Sequence, residues 1–301
     1  MRMLFVFLAG LAMNRMAAAS LAAEPDVGLR AAAAEPIRVF VLAGQSNMEG
    51  QSVADLDGPD YNEGRGTLRC LWRDPDFRQE FGFLRSPGDD WAVRDNVRVR
   101  YQLEDGPLKT GPLALGFTPY DGRHHFGPEL GFGHVVGDHC AAPVVLLKTA
   151  WGGKSLYRDF RPPSSGGTVG PYFTRMLAEI RAGLTAAATE FPNHAGRVEL
   201  AGFVWYQGWN DGCEPTTAVP EYETNLVNLI RDVRRELGVP GLPVVIGELT
   251  GPWVEAPGEW AALRRAQAAA ARRPEFAGTV AFVPTHELVR RLEHCRSQRG
   301  P

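Results

Sequence analysis

The amino-acid sequence predicts a doubly wound α/β domain built on a mostly parallel sheet, and three observations carry that prediction. Five short, nearly continuous apolar runs recur at 37–43 (IRVFVLA), 144–149 (VVLLKT), 200–206 (LAGFVWY), 244–249 (VVIGEL) and 279–283 (TVAFV); such runs, lacking alternation, mark strands covered on both faces. Stretches of helical periodicity lie between them, at 129–138, 172–189, 221–237 and 258–271. Strand and helix therefore alternate, the order that parallel sheets with crossover helices require. The composition agrees, because 301 residues with 44% apolar and 22% charged side chains are ordinary for a globular chain. In this architecture ligands bind beyond the carboxyl ends of the strands, so functional residues are sought just after each run.

Residues 1–23 read as an export signal: Arg2 gives a positive start, 3–13 is apolar, and small residues fill 17–23. An Ala-rich linker covers 24–35, and 36–301 is a single domain with an insertion near 55–126 that is rich in Gly, Pro, Asp and aromatic residues. Within the insertion, 97–103 followed by a turn at 104–106 predicts a hairpin, and Trp72, Trp91 and Tyr101 either pack beneath the loop or line a carbohydrate groove. No later apolar stretch is long enough to cross a bilayer, so the expected location is secreted or periplasmic, without stable membrane association after signal removal. Lys plus Arg number 32 against 35 Asp plus Glu, a net charge of -3, which argues against a nucleic-acid partner. Cys70, Cys140, Cys213 and Cys295 form no CxxC pair, and neither His124–His125 nor His134–Asp138 makes a metal shell, so no metal is expected.

The first run leads directly into Gly44-Gln45-Ser46-Asn47-Met48. A hydroxyl at the carboxyl end of a buried strand is where a nucleophilic serine belongs, and backbone N–H groups beyond a tight glycine turn are suited to an oxyanion. Met48 stands where the GxSxG elbow of α/β-hydrolases has its last glycine, so a different hydrolase class is implied. The second run ends in Ala150-Trp151-Gly152-Gly153-Lys154-Ser155, which is no phosphate loop, because Lys148 occupies a position where that loop needs glycine. Its Gly-Gly pair instead suits close approach to a ligand. The third run ends in Trp205-Tyr206-Gln207-Gly208-Trp209-Asn210-Asp211; the Gln207 amide suits an oxyanion donor, and Asn210 and Asp211 suit loop shaping.

GQSNMEG, FGPELGFG at 126–133, TAWGGKSL at 149–156 and WYQGWND at 205–211, in this order, resemble the sialate O-acetylesterase and acetylxylan esterase family of carbohydrate esterases, in the SGNH-hydrolase group. The resemblance covers about 36–285. It implies a flavodoxin-like three-layer α/β/α sandwich, a serine esterase acting on an acetylated carbohydrate, and no cofactor. By position it implies Ser46 as nucleophile, and the Ser46 and Gly153 N–H groups with the Gln207 side chain as oxyanion hole. Gln45 and Asn47, flanking the serine, and Arg158, in SLYRDFRPP, are assigned to substrate binding; Glu129 is assigned structure. Many relatives read QGE where this chain has Gln207-Gly208-Trp209.

Relatives also carry a late Asp-x-x-His element that supplies the general base. Here Val283 stands three residues before His286, and Arg291 three before His294, so neither histidine fits. The domain is therefore read as incomplete at its carboxyl terminus, with His294 as the substitute base and His286 in a local structural role. The alternative reading is a catalytically impaired relative that binds sugar without turning it over.

Overall fold

Ile37–Gly44 forms β1, the strand around which a seven-stranded sheet is assembled in a computed structural model describing residues 35–191, 194, 196–251 and 258–288. β1 is flanked in parallel by β6 (Val144–Ala150) and β7 (Val198–Tyr206), and β8 (Val244–Gly247) and β9 (Val280–Val283) continue the parallel pairing beyond β7. β1 is apolar throughout because both its faces are covered: Ile37, Val39, Val41 and Ala43 meet α5 (Pro171–Glu190), α7 (Ala218–Glu236) and α8 (Gly258–Ala271), while Leu42 meets the layer formed by α4 (Glu129–His139). Helices thus lie on both sides of the sheet, giving the flavodoxin-like three-layer α/β/α sandwich. The parallel order reverses direction between β1 and its neighbours, so the loops after β1 and β7 adjoin at a topological switch point.

The hairpin expected inside the insertion forms as β3 (Arg94–Gln102) and β4 (Leu108–Leu113). β3 pairs in parallel with β6, so the sheet has two strands more than the five apolar runs indicate, and β4 is its antiparallel edge. These strands lack a continuous apolar run because Val97, Val99 and Tyr101 alternate with the polar Arg98, Arg100 and Gln102. Tyr101 is fully buried, with its hydroxyl donating to Glu49 Oε1 at 3.1 Å and Ala150 O at 3.0 Å, which removes it as a groove-lining residue. Trp72 and Trp91 pack against the small core of the insertion, with the Arg85 guanidinium 5.3 and 3.9 Å from their ring centroids. The short helices α2 (Leu68–Leu71) and α3 (Pro75–Phe81) complete that core.

Lys148, a cation inside a strand buried on both faces, is tolerated because its ammonium donates to Glu129 Oε2 at 2.8 Å and Phe117 O at 2.7 Å. Glu129, also fully buried, accepts from Gly127 N at 2.9 Å through its other oxygen. Burial pushes the Lys148 ammonium below the usual lysine range. Nearby, Lys109 donates to the carbonyls of Gly116, Thr118 and Tyr120, so two lysines brace the 116–120 loop from beneath.

The expected export signal and linker lie outside the described residues, as do His294 and Cys295. Among the described residues no helix is long and apolar enough to cross a membrane, and no group of His, Cys, Asp and Glu could hold a metal ion. Cys70, Cys140 and Cys213 are not joined to one another.

Breaking the buried ion pair from one side leaves an uncompensated charge. Lys148→Met is expected to lose about 3–5 kcal/mol of stability in urea unfolding. The double variant Lys148→Met/Glu129→Gln should recover part of that loss, and a single variant as stable as the parent would contradict the pair's role.

Candidate active site

The carboxyl ends of β6, β1, β7, β8 and β9 lie along one edge of the sheet, and the loops that leave them carry the polar groups singled out in the sequence. At the end of β1, Gly44 passes so close to β7 that a Cβ there would collide with the Tyr206 carbonyl oxygen. The chain then enters α1 (Ser46–Glu49), whose first residue is the serine. Ser46 is half-buried, and its hydroxyl makes no hydrogen bond among the described residues. Gln45 caps the turn without a side-chain cap bond, which leaves its amide for other work.

That amide ties the serine loop to the loop after β7. Gln45 Oε1 accepts from Gln207 Nε2 at 3.1 Å, Gly208 N at 3.2 Å and Asn210 N at 3.2 Å, and its Nε2 donates to Asn210 Oδ1 at 2.8 Å. Gln45 is itself buried, so its side chain is committed to this clamp. Gln207 is equally committed. Its Nε2 faces three internal acceptors, Gln45 Oε1, Lys154 O at 3.0 Å and Asp211 Oδ2 at 2.6 Å, and its Oε1 accepts from Tyr222. Asn210 differs, because its half-exposed amide donates to Gly153 O at 2.9 Å at the surface of the same edge.

The loop after β6 is anchored from below. Glu49, one turn along α1 from Ser46, accepts from the Gly152 N–H and from Tyr101, and burial raises its pKa. Gly153 follows at φ +71°, a left-handed conformation that glycine adopts without strain, and its N–H makes no hydrogen bond among the described residues. Arg158 projects from this loop but pairs with Glu214 at 2.7 Å, and Arg161 pairs with Glu221 at 3.0 Å. Asp211 joins the second and third loops, since its carboxylate accepts from Leu156 N at 2.8 Å and Tyr157 N at 2.9 Å as well as from Gln207.

At the ends of β8 and β9 the structure brings together a pair that periodicity does not single out. The buried Glu248 hydrogen-bonds His286 Nδ1 through Oε2, which also accepts from the backbone N–H groups of Thr285 at 3.0 Å and His286 at 3.1 Å. A hydrogen-bonded line runs from this pair back to the serine loop: Thr285 Oγ1 to Thr250 Oγ1, Thr250 to Tyr206 Oη at 2.9 Å, and Tyr206 to the Asn47 side chain. Of this pair the sequence names only His286, in a local structural role; the available signal for Glu248 is that it is the one carboxylate in the apolar run 244–249.

A family model described as carbohydrate esterase, sialic acid-specific acetylesterase, matches residues 89–296. The match takes in Gly153, Gln207, Glu248 and His286 and leaves out the loop of Ser46. Among solved structures, NanS is similar with a TM-score of 0.52 at 15% identity, over 84% of this chain and 78% of that one, a likeness of fold. An Arabidopsis thaliana protein (TM-score 0.49, 18% identity, 83% of this chain and 86% of that one) and a carbohydrate acetylesterase from Xanthomonas citri (0.49, 16%, 82% and 49%) are also similar. No match was found among curated proteins.

Burial outweighs the three N–H donors at Asp211 and pushes its pKa up to about 6. The folded protein therefore retains this proton in a pH range where the unfolded chain, with a carboxyl near about 3.9, has released it. The contribution of Asp211 to stability grows as the pH falls from about 6 toward 4 and is lost as it rises. Urea unfolding should show the parent gaining stability relative to Asp211→Asn between about pH 7.5 and pH 4.5; an unchanged difference would contradict the assignment.

Proposed function

Because the chain belongs to the sialic acid-specific acetylesterase family of carbohydrate esterases, which are carboxylic ester hydrolases, we propose that it removes O-acetyl groups from a sugar with Ser46 as nucleophile and His286, held by Glu248, as general base. The observation that carries the reading is the His286–Glu248 pair on the sheet edge that also bears Ser46. A carboxylate on Nδ1 fixes the orientation of the imidazole, which the base of a serine nucleophile requires.

In this mechanism Ser46 Oγ attacks the acetyl carbonyl carbon while His286 Nε2 takes the hydroxyl proton. Glu248 stabilises the imidazolium that forms. The tetrahedral intermediate collapses as His286 returns the proton to the departing sugar oxygen, leaving acetyl-Ser46 and the free hydroxyl. Water then attacks the acetyl group by the same route and releases acetate. The Ser46 and Gly153 N–H groups are the backbone oxyanion donors. Asn210 Nδ2 is favoured over Gln207 as the side-chain donor, because the Gln207 amide is buried and spent on internal acceptors. The export signal read at residues 1–23 would place this activity outside the cytoplasm.

Hydrolysis of 4-nitrophenyl acetate tests these assignments. Ser46→Ala should abolish turnover while preserving the thermal midpoint. His286→Gln should lower kcat by about 10³-fold or more, since members of such a triad act as a unit. If His294→Gln silences the enzyme and His286→Gln does not, the base is His294, as the sequence alone suggested. Asn210→Ala should cost about 10²–10³ in kcat, the usual effect of losing an oxyanion donor, and a variant with unaltered kcat would remove Asn210 from that role.

A further inference from the structure

Trp209 lies between Gly208 and Asn210, whose backbone N–H groups are both held by the side chain of Gln45, the residue before Ser46. Its backbone is thus fixed by the clamp that fixes the serine loop. The indole is nevertheless 40% exposed, one of few large apolar side chains so exposed among the described residues. It is propped from behind: its ring centroid lies 4.8 Å from that of Trp260 at an interplanar angle of 40°, and a Cβ at Gly251 would come within 2.7 Å of the ring. Trp260 in turn packs where a Cβ at Gly212 would stand. Two glycines and a second tryptophan hold an apolar plate at the surface, three residues along the chain from Glu248 at Gly251 and one residue from Asn210. The Nε1–H of Trp209 makes no hydrogen bond among the described residues.

An exposed, rigid aromatic face with a spare N–H suits a ligand that offers a face of C–H bonds and a rim of hydroxyls, as a pyranose ring does. The three cations of the loop after β6 are each paired, Lys154 with Glu104 at 2.8 Å, Arg158 with Glu214 at 2.7 Å and Arg161 with Glu221 at 3.0 Å. A sugar carboxylate brought to this loop would have to displace one of these partners.

We propose that Trp209 is the platform of a sugar subsite beside Ser46, and that the acetylated carbohydrate it receives is a neutral pyranose rather than an anionic sialic acid. The acetyl group rests on the esterase reading; the stacking contact does not. Calorimetry on the full chain carrying Ser46→Ala, which prevents turnover, tests it with two probes, O-acetylated xylotetraose and 9-O-acetyl-N-acetylneuraminic acid. The expected result is that the xylotetraose binds more tightly than the sialic acid, that adding Trp209→Ala weakens it at least tenfold, and that Trp209→Phe restores most of the affinity. Equal xylotetraose affinity with and without Trp209, tighter binding of the sialic acid, or no binding of xylotetraose overturns the proposal. Hydrolysis of 4-nitrophenyl acetate by the parent, run in parallel, separates the two readings. Trp209-dependent binding without turnover retains the subsite and removes the esterase, whereas turnover without Trp209-dependent binding does the reverse.

Discussion

Three N–H groups, from the Gln207 side chain, Gly208 and Asn210, converge at 3.1–3.2 Å on the carbonyl oxygen of the Gln45 side chain, at the edge where β1 and β7 end. Parallel strands that terminate side by side leave unpaired backbone groups, and each must find a partner or bear the cost of burial without one. Here one buried glutamine meets that demand for the loop after β7 while fixing the position of the serine that follows it. The arrangement requires β1 and β7 to meet closely, which is why Gly44, at contact with the Tyr206 carbonyl, has no room for a side chain. Loosening Gln45 would release the serine loop, Asn210 and Trp209 together.

A second set of polar groups works from beneath the edge. Glu49 receives the Gly152 N–H and the Tyr101 hydroxyl, and Lys148 with Glu129 lies close by inside the sheet and the α4 layer. These charges are costly to bury, and a well-packed apolar replacement of the whole group could equal them in stability. What they provide is direction: a carboxylate accepts from a defined N–H and an ammonium donates to defined carbonyls, so the loops at 116–120 and 151–153 are held in one conformation. Preorganisation of this kind matters for an oxyanion site, whose donors act only if they already point at the charge when it develops.

The part of the edge where β8 and β9 end has a different construction. Glu248 follows β8 and His286 follows β9, so their hydrogen bond joins the ends of two neighbouring strands, and the hydroxyls of Thr285, Thr250 and Tyr206 carry the network across to Asn47. Arg264 and Gln267 of α8 secure the strand end at Leu249 and Thr250 through its backbone. The carboxylate thus follows one strand and the imidazole the next, so the pair exists only where β8 and β9 lie side by side.

The α/β class, five of the seven strands and the loops sought for the site can be read from the residues alone, because buried parallel strands leave continuous apolar runs and their carboxyl ends are where such folds bind ligands. The loops that hold Ser46, Gly153 and Gln207 were legible for the same reason, since each follows a run within four residues. That β3 and β4 belong to the sheet emerges only on folding, since Val97, Val99 and Tyr101 show their apolar face only when alternated with the residues pointing away. Only the fold could pair Glu248 with His286, 38 residues apart in sequence, or show the Gln207 amide turned inward and Trp209 outward. Periodicity records which way a residue faces within its own element; which partner it meets depends on the order of strands in the sheet, and that order is a property of the folded chain.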